Sequence, residues 1–345
     1  MTSVAIAGCG AIGGIMGGFI WDKADTVLIC KNPELVQAIR THGLEVNGVR
    51  GKQKFTPRAY ALFADQRDKF DIIFLTMKAT TVVEAAKEAV NYLNPKGVIV
   101  TMQNGIVEDM VAEAIGKDKL IGGIVGFGGT MLSPGVVDMT STGEFIVGEL
   151  NNQISDRIKN IKYLLDFVSP TRITTNILGA EYSKLLINAC ITTMGAASGL
   201  YLGEMLKRRD FRKIFSEIFY EGVKVADAKG LTLEKVSGTP VRTFAPSDNM
   251  RQGKAFFEKL FKDTLIRIVG WKYRKLKSSS LQSLERGRKT EVDFINGIII
   301  KFGKELGVDT PVNDKIVKII HEIEEGVRKI GTENLEELLP LIPKY

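Results

Sequence analysis

Apolar and polar positions alternate in a way that divides the chain early. Residues 3–7 (SVAIA) form a short β-rich run that passes directly into the glycine-rich stretch 8–14 (GCGAIGG). Residues 15–21 then read as a helix. Residues 26–30 (TVLIC) predict a second buried strand, and Lys31, Asn32 and Pro33 turn into a helix over 34–40. A third strand is predicted at 71–76 (DIIFLT), followed by a helix over about 81–93. A fourth lies at 98–101, closed by Gln103, Asn104 and Gly105, with a helix over 108–115. Short apolar runs alternating with helical periods through short connections predict a mostly parallel sheet with helical crossovers.

Further along, the glycine-rich stretch 122–129 and the run 144–147 read as strand and turn. A helix is predicted over 154–168 and a last strand over 173–176. From Gly179 the texture changes to helical periodicity, over 181–194, 202–229, 250–268, 288–306 and 313–329. Residues 238–249, with Pro240 and Pro246, read as a loop. The expected organisation is therefore an α/β domain over 1–176 followed by an all-α domain over 177–345. No internal repeat or low-complexity segment is found.

Composition narrows the class only modestly. With 44% hydrophobic and 25% charged residues among 345, the chain is an ordinary globular one, which excludes disorder and fibrous repeats. Its net charge of +7 suits small anionic ligands at least as well as nucleic acid, so no nucleic-acid partner is expected. Cys9, Cys30 and Cys190 are far apart and have no metal-ligand spacing. Only His42 and His321 are available, which argues against a zinc site or a histidine-based triad, so no metal is expected. No apolar run approaches the ~20 residues of a membrane span, and no basic leader precedes the first strand. The expectation is a chain of a reducing, cytoplasmic compartment with no membrane partner.

Gly8, Gly10 and Gly13 give G-x-G-x-x-G, a pattern that is weak alone. Here it follows a strand and opens a helix, the context a dinucleotide-binding, Rossmann-type unit requires. Gly8 would permit the tight turn, Gly10 would let a pyrophosphate approach the backbone, and Gly13 would let helix and sheet pack closely, with Cys9, Ala11 and Ile12 completing the loop. NAD binding usually places Asp or Glu at the end of the second strand. This chain has Cys30 and then Lys31, a cation that can pair with a 2′-phosphate. The expected cofactor is NADP(H). The competing explanation is that Lys31 is a solvated turn lysine.

In the helical half, Lys184, Asn188 and Thr192 recur every four residues and share one face of a largely apolar helix. Taken alone, Lys184 could equally be a marginal lysine whose stem covers apolar surface. A second cluster runs from Ser278, Ser279 and Ser280 through RGRKTE (286–291) to Asp293 and Asn296. Glu291 reads as lying at the start of an apolar helix, where a carboxylate also serves the helix dipole.

Five segments in order then resemble the ketopantoate reductases (2-dehydropantoate 2-reductases) and their paralogues. They are GCGAIGG, TMKA around Lys78, QNG around Asn104, KLLINA around Lys184, and SSLQSLERGRKTEVDFING over 279–297. The last is the most specific. The resemblance covers nearly the whole chain and implies a nucleotide-binding domain joined to an all-helical one. It implies that the loop from Gly8 to Gly13, with Lys31, Lys78 and Asn104, serves the cofactor, Asn104 lying near the substrate as well. It implies that Lys184 is the catalytic lysine, that Asn188 and Ser279 bind substrate, and that Glu291 is the acidic active-site residue. The chain departs from the pattern at Thr192, where many members carry a second asparagine followed by proline, and in its extra length over 238–277. Both departures bear on the substrate.

The chemistry expected of these residues is hydride transfer to a 2-oxo carbon with a lysine ammonium protonating the oxygen. The first expectation is NADPH-dependent reduction of ketopantoate, in pantothenate and coenzyme A biosynthesis. A second is the same chemistry on another 2-oxo acid or an imine, and a third, of a different class, is a non-catalytic NADP(H) sensor. The expected partners are a small 2-oxo acid and, as an open option, a second copy in a homodimer.

Overall fold

A computed structural model describes residues 1–66, 68–236 and 238–343. The chain divides into two units, Met1–Leu178 and Gly179 onward. The division falls within the first turn of the long helix that opens the second unit.

The strands of the first unit are β1 (Ser3–Ala7), β2 (Asp25–Ile29), β3 (Leu44–Gly48), β4 (Gln53–Phe55), β5 (Arg58–Tyr60) and β6 (Phe70–Leu75). They continue as β7 (Leu93–Thr101), β8 (Leu120–Val125), β9 (Gly128–Ser133), β10 (Val136–Ser141), β11 (Phe145–Glu149) and β12 (Thr171–Ile173). Its helices are α1 (Ala11–Ile20), α2 (Pro33–His42), α3 (Val82–Ala89), α4 (Glu108–Ile115) and α5 (Asp156–Leu165). The main sheet has eight strands in the order β12-β11-β8-β7-β6-β1-β2-β5, all pairs parallel except β11 with β8. β1 sits between β2 and β6, pairing Ala7 with Ile29 on one side and with Leu75 on the other. Val4, Ile6, Leu28, Ile73 and Phe74 are buried, because a strand covered by helices on both faces has no solvent side on which to place polar residues.

The predicted alternation therefore forms the sheet, with boundaries shifted by a few residues. The short strands β3, β4 and β5 and the pair β9–β10 were not anticipated. Four of these five make a second sheet, β4-β3-β10-β9, whose central strands bury Leu44 and Val46 of β3 and Val137 and Met139 of β10 where the sheet packs on α1. Their sequence is too polar and too short for alternation to stand out.

The second unit is helical: α6 (Ile177–Ser198), α7 (Leu202–Lys207), α8 (Arg209–Ala228), α9 (Asp248–Arg251), α10 (Phe256–Lys272), α11 (Ser279–Glu285), α12 (Asn296–Leu306) and α13 (Pro311–Glu324). Three readings are corrected here. The single helix expected over 202–229 breaks at Arg208, which is extended (φ −76°, ψ 123°). The stretch 238–249 holds Thr239–Pro240, which pairs with Lys235–Val236, and a 3₁₀ turn at Val241–Phe244, since Val241 and Phe244 are buried and anchor it. The helix expected from 288 begins only at Asn296. Glu291 instead precedes a 3₁₀ turn, Val292–Phe294, because Val292 is drawn into the core and Ile295 is held out of helical geometry.

The cysteine reading is also corrected. Cys9 and Cys30 form a disulfide, with Cα atoms 5.1 Å apart, while Cys190 is free and buried. Separation in sequence concealed their proximity. Parallel pairing of Ala7 with Ile29 ends both strands side by side, and the next residues meet above them. A reducing compartment is therefore not what the cysteines themselves indicate. Among the described residues no helix is long and apolar enough to cross a membrane, and no group of acidic, Cys and His residues could hold a metal ion.

The disulfide closes a loop of 21 residues in sequence separation. Its reduction, or Cys30→Ala, is expected to lower stability by about 3 kcal/mol through the gain in unfolded-chain entropy. The comparison of melting curves with and without a dithiol checks this; an unchanged midpoint would show that the bond does not form in solution.

Candidate functional site

The first group of candidates lies at the carboxyl edge of the parallel sheet. Gly8 follows β1, Lys31 follows β2, Lys78 follows β6 and Asn104 follows β7. β1 is the strand from which the order runs both ways, to β2 and to β6, the place where open α/β sheets bind ligands. The glycines divide their tasks as expected. Gly8 has φ +99°, which only glycine adopts without strain, and a Cβ there would meet the Met77 amide nitrogen at 2.6 Å. A Cβ on Gly13 would lie 2.1 Å from the Gly8 carbonyl oxygen and 2.5 Å from Thr76 Oγ1. A Cβ on Gly10 would meet nothing within 4 Å. Packing does not require glycine there, and the space beside it is open. Gly10 is also the N-cap of α1 and makes no side-chain cap, which leaves the first amides of that helix for an anion. Residues of this kind fit a dinucleotide pyrophosphate.

Thr76 and Gln103, which lie in the segments TMKA and QNG but carried no role of their own there, hold this edge in shape. The Thr76 hydroxyl donates to the Gly8 carbonyl at 2.5 Å, tying the loop after β6 to the glycine loop. Gln103, buried, donates through Nε2 to the carbonyls of Leu75 (2.8 Å) and Met77 (2.9 Å), tying the loop after β7 to that after β6. Beyond Asn104, the buried Glu108 accepts from the Thr101 hydroxyl at 2.7 Å and from the Val107 amide at 2.9 Å. The signal in sequence was weak: a polar residue directly after a strand end looks like any loop residue. Lys31 and Lys78 are exposed and Asn104 is half-buried, so all three present polar groups at the edge.

The second group gathers on α6. Lys184, Asn188 and Thr192 lie on one face, the first two half-buried and Thr192 buried. The Thr192 hydroxyl donates to the Asn188 carbonyl one turn back, at 2.7 Å. Burial drives the Lys184 ammonium down to about 8, while Glu291 and Glu181 act to raise it. Glu291, far away in sequence, is brought close enough for its charge to favour the Lys184 ammonium. Two further contacts draw its segment to α6. Asn296 donates to the Ala189 carbonyl (3.2 Å) and to Asn313 Oδ1 (2.9 Å). A Cβ on Gly195 would meet the Ser278 side chain at 2.8 Å, so the absence of one lets the start of α11 approach. Ser278 is the N-cap of α11, accepting from the Leu281 amide, and is buried; Ser279, the expected substrate ligand, is exposed at the first position of that helix.

Each half of the expected constellation is thus assembled within its own unit: glycine loop, Lys31, Lys78 and Asn104 in the first, Lys184, Asn188, Thr192, Ser279 and Glu291 in the second. A family profile described as "Ketopantoate reductase PanE/ApbA" matches residues 4–152, and one for its C-terminal part matches 176–324. The chain belongs to the PanE/ApbA ketopantoate reductase family. It is similar to the 2-dehydropantoate 2-reductase of Pyrococcus abyssi, 28% identical over 90% of this chain and 94% of that one. The enzyme of the same name from Archaeoglobus fulgidus is 25% identical over 94% and 98%. Among solved structures, a family ketopantoate reductase from Ralstonia eutropha superposes with TM-score 0.77 at 23% identity, covering 94% of this chain and 98% of its own. A D-mandelate dehydrogenase, solved with NADH and anilino(oxo)acetate, matches equally, with TM-score 0.77 at 23% identity over 94% and 99%. These likenesses establish the two-part fold, and the family makes the chain an NAD(P)-dependent oxidoreductase.

The glycine geometry separates folding from binding. Gly10→Ala is expected to change stability by no more than about 0.5 kcal/mol, as at an unencumbered surface site. Dinucleotide affinity should nonetheless fall at least about tenfold, since the methyl group enters the space left open. Gly13→Ala should damage both. Thermal melts beside nicotinamide-nucleotide titration distinguish them, and full affinity in Gly10→Ala would remove the loop from the binding site.

Proposed function

We propose that this chain catalyses the NADPH-dependent reduction of 2-dehydropantoate to pantoate, a step of pantothenate and coenzyme A biosynthesis. The observation that carries the reading is Lys184: a half-buried lysine, its acidity raised by burial, with Glu291 acting on it and Asn188 on the same helix face. An ordinary marginal lysine keeps its ammonium in water, where no such shift arises.

The residues divide the work by chemistry. The loop from Gly8 to Gly13 holds the pyrophosphate, Lys31 pairs with a 2′-phosphate, and Lys78 and Asn104 complete the cofactor edge. When bound, the reduced nicotinamide supplies a hydride to the 2-oxo carbon. Lys184 donates a hydrogen bond to the substrate oxygen, stabilises the negative charge that grows there, and transfers its proton to that oxygen, so that the carbonyl becomes a hydroxyl. With its acidity near 8, the ammonium is mostly protonated at neutral pH and still gives up its proton more readily than a solvated lysine. Glu291 orients and charges Lys184; Asn188 and Ser279 bind the substrate carboxylate and hydroxyl. The relatives named 2-dehydropantoate 2-reductase, which match over nearly their whole length, support the substrate.

Thr192 favours a second reading, reduction of another 2-oxo acid. Its hydroxyl is spent on the Asn188 carbonyl rather than offered as an amide would be. A cytoplasmic location suits either reaction, whose cofactor is a cytoplasmic metabolite.

Two outcomes test the proposal. Lys184→Ala should lower kcat by about 10²–10⁴-fold, the usual worth of a positioned general acid, and leave NADPH binding nearly unchanged. Because the ammonium is the active form, wild-type turnover should decline as pH rises through about 8. Near-normal turnover in a folded Lys184→Ala protein, across a panel of 2-oxo acids that includes ketopantoate, would refute the role. For the cofactor, NADPH should bind tighter than NADH, and Lys31→Asp should shrink that preference by about tenfold or more, the worth of a charge-assisted contact. Equal affinities in the unaltered protein would overturn the NADP(H) assignment.

A further inference from the structure

α10 carries its apolar residues on the wrong side for a core helix. Phe257 is 84% exposed, Trp271 71%, Phe256 69% and Phe261 61%, with Leu260 and Ile268 also exposed. The opposite face is fixed against the unit. There Arg212 holds Asp263 through two hydrogen bonds (2.7 and 3.1 Å), Glu258 accepts from the Ser247 hydroxyl at 2.6 Å, Lys262 donates to the Ala245 carbonyl, and Ile266 is buried. At Gly270 a Cβ would lie 2.7 Å from Leu206 Cβ, so the helix sits directly on α7. The aromatic face therefore cannot roll inward without breaking a part-buried ion pair.

The outward residues have an order of their own. Phe257, Phe261, Thr264, Ile268 and Trp271 are spaced 4, 3, 4 and 3, the seam of a two-helix coiled coil. With roughly 150–250 Å² for each large side chain, the exposed fractions add up to roughly 800 Å² of apolar surface. That exceeds the 300–600 Å² patch of a typical monomer and equals the share per partner of a standard stable interface.

We propose that this face is the two-fold interface of a homodimer, in which α10 packs antiparallel against the same helix of a second copy. In an antiparallel seam, first-type positions face second-type ones. Phe257 then packs on the partner's Ile268 and Phe261 on the partner's Thr264, each large ring opposite a smaller side chain, and two-fold symmetry makes each contact twice. Leu260 covers the stem of the partner's Arg267. A lipid surface fits less well. An interfacial helix presents its polar face to headgroups and water, whereas Lys262 and Asp263 are turned into the protein.

Sedimentation equilibrium tests the proposal, and its readout, mass, is independent of turnover and so of the proposed reaction. The unaltered protein should have twice the 38.0 kDa chain mass at micromolar concentration. Phe257→Glu with Trp271→Glu should raise the dimer dissociation constant by about 100-fold or more, as for hot-spot loss, with the circular dichroism of a folded chain. Should that variant fail to fold, Phe257→Cys with Ile268→Cys keeps the test open. These positions are eleven residues apart and too distant to bridge within one helix, so mild oxidation should yield a linked dimer that a dithiol reverses. A monomeric unaltered protein would overturn the proposal. So would a dimer unaffected by the double glutamate change, or a monomer that sediments with phosphatidylserine vesicles and loses that binding in the variant.

Discussion

Parallel pairing of β1 with both β2 and β6 is the constraint on which the first unit depends. Registering Ala7 against Ile29 and Leu75 brings three chain segments to one edge at the same height. From that single fact follow the meeting of Cys9 with Cys30, the hydrogen bond from Thr76 to Gly8, and the placement of Lys31 beside the glycine loop. The register is enforced by burial. Every side chain of β1 from Val4 to Ala7 is covered, so a slip by one residue would exchange the two faces of a strand that has no room on either.

At that edge, packing and binding divide along the glycine loop. Gly8 and Gly13 are required by the protein itself, one by its backbone conformation and the other by a carbonyl oxygen within 2.1 Å of where a Cβ would stand. Gly10 is required by nothing in the protein. Because packing makes no demand on it, a substitution there tests binding apart from stability. The disulfide adds a covalent restraint to the same loop, at the residue between the first two glycines.

The second unit uses a different device. α6 is a central helix with a small polar row on one side, and it is approached by segments far along the chain. Asn296 bonds to its Ala189 carbonyl, Ser278 packs on Gly195, and the Tyr182 hydroxyl donates to the Gly222 carbonyl of α8 at 3.0 Å. Asn313 links Asn296 to Glu221, which also accepts from the amides that begin α13. This buried polar chain fixes α12 and α13 relative to α6, and with them the segment that carries Glu291. A buried network with several partners narrows the arrangement of helices, where apolar contacts alone would allow several, although Asn296 Oδ1 accepts no hydrogen bond within it.

Much of this was legible in the chain, for local reasons. The apolar runs of β1, β2, β6 and β7 are continuous because both sheet faces are covered, and such runs are visible without a structure. The glycine spacing and the four-residue recurrence of Lys184, Asn188 and Thr192 are likewise local, since one turn or one helix face contains each. What escaped depended on partners distant in sequence. The Cys9–Cys30 bond needs the parallel crossover, and Thr76 and Gln103 are polar loop residues until the strands beside them are known. The late start of α12 follows from the burial of Val292, and the lowered basicity of Lys184 from its burial, opposed by Glu291. The periodicity of residues 250–268 announced a helix but not its orientation. Sequence shows that one face of α10 is aromatic; only packing against α7 and α8, through Gly270 and the Asp263–Arg212 pair, decides that this face is turned to solvent.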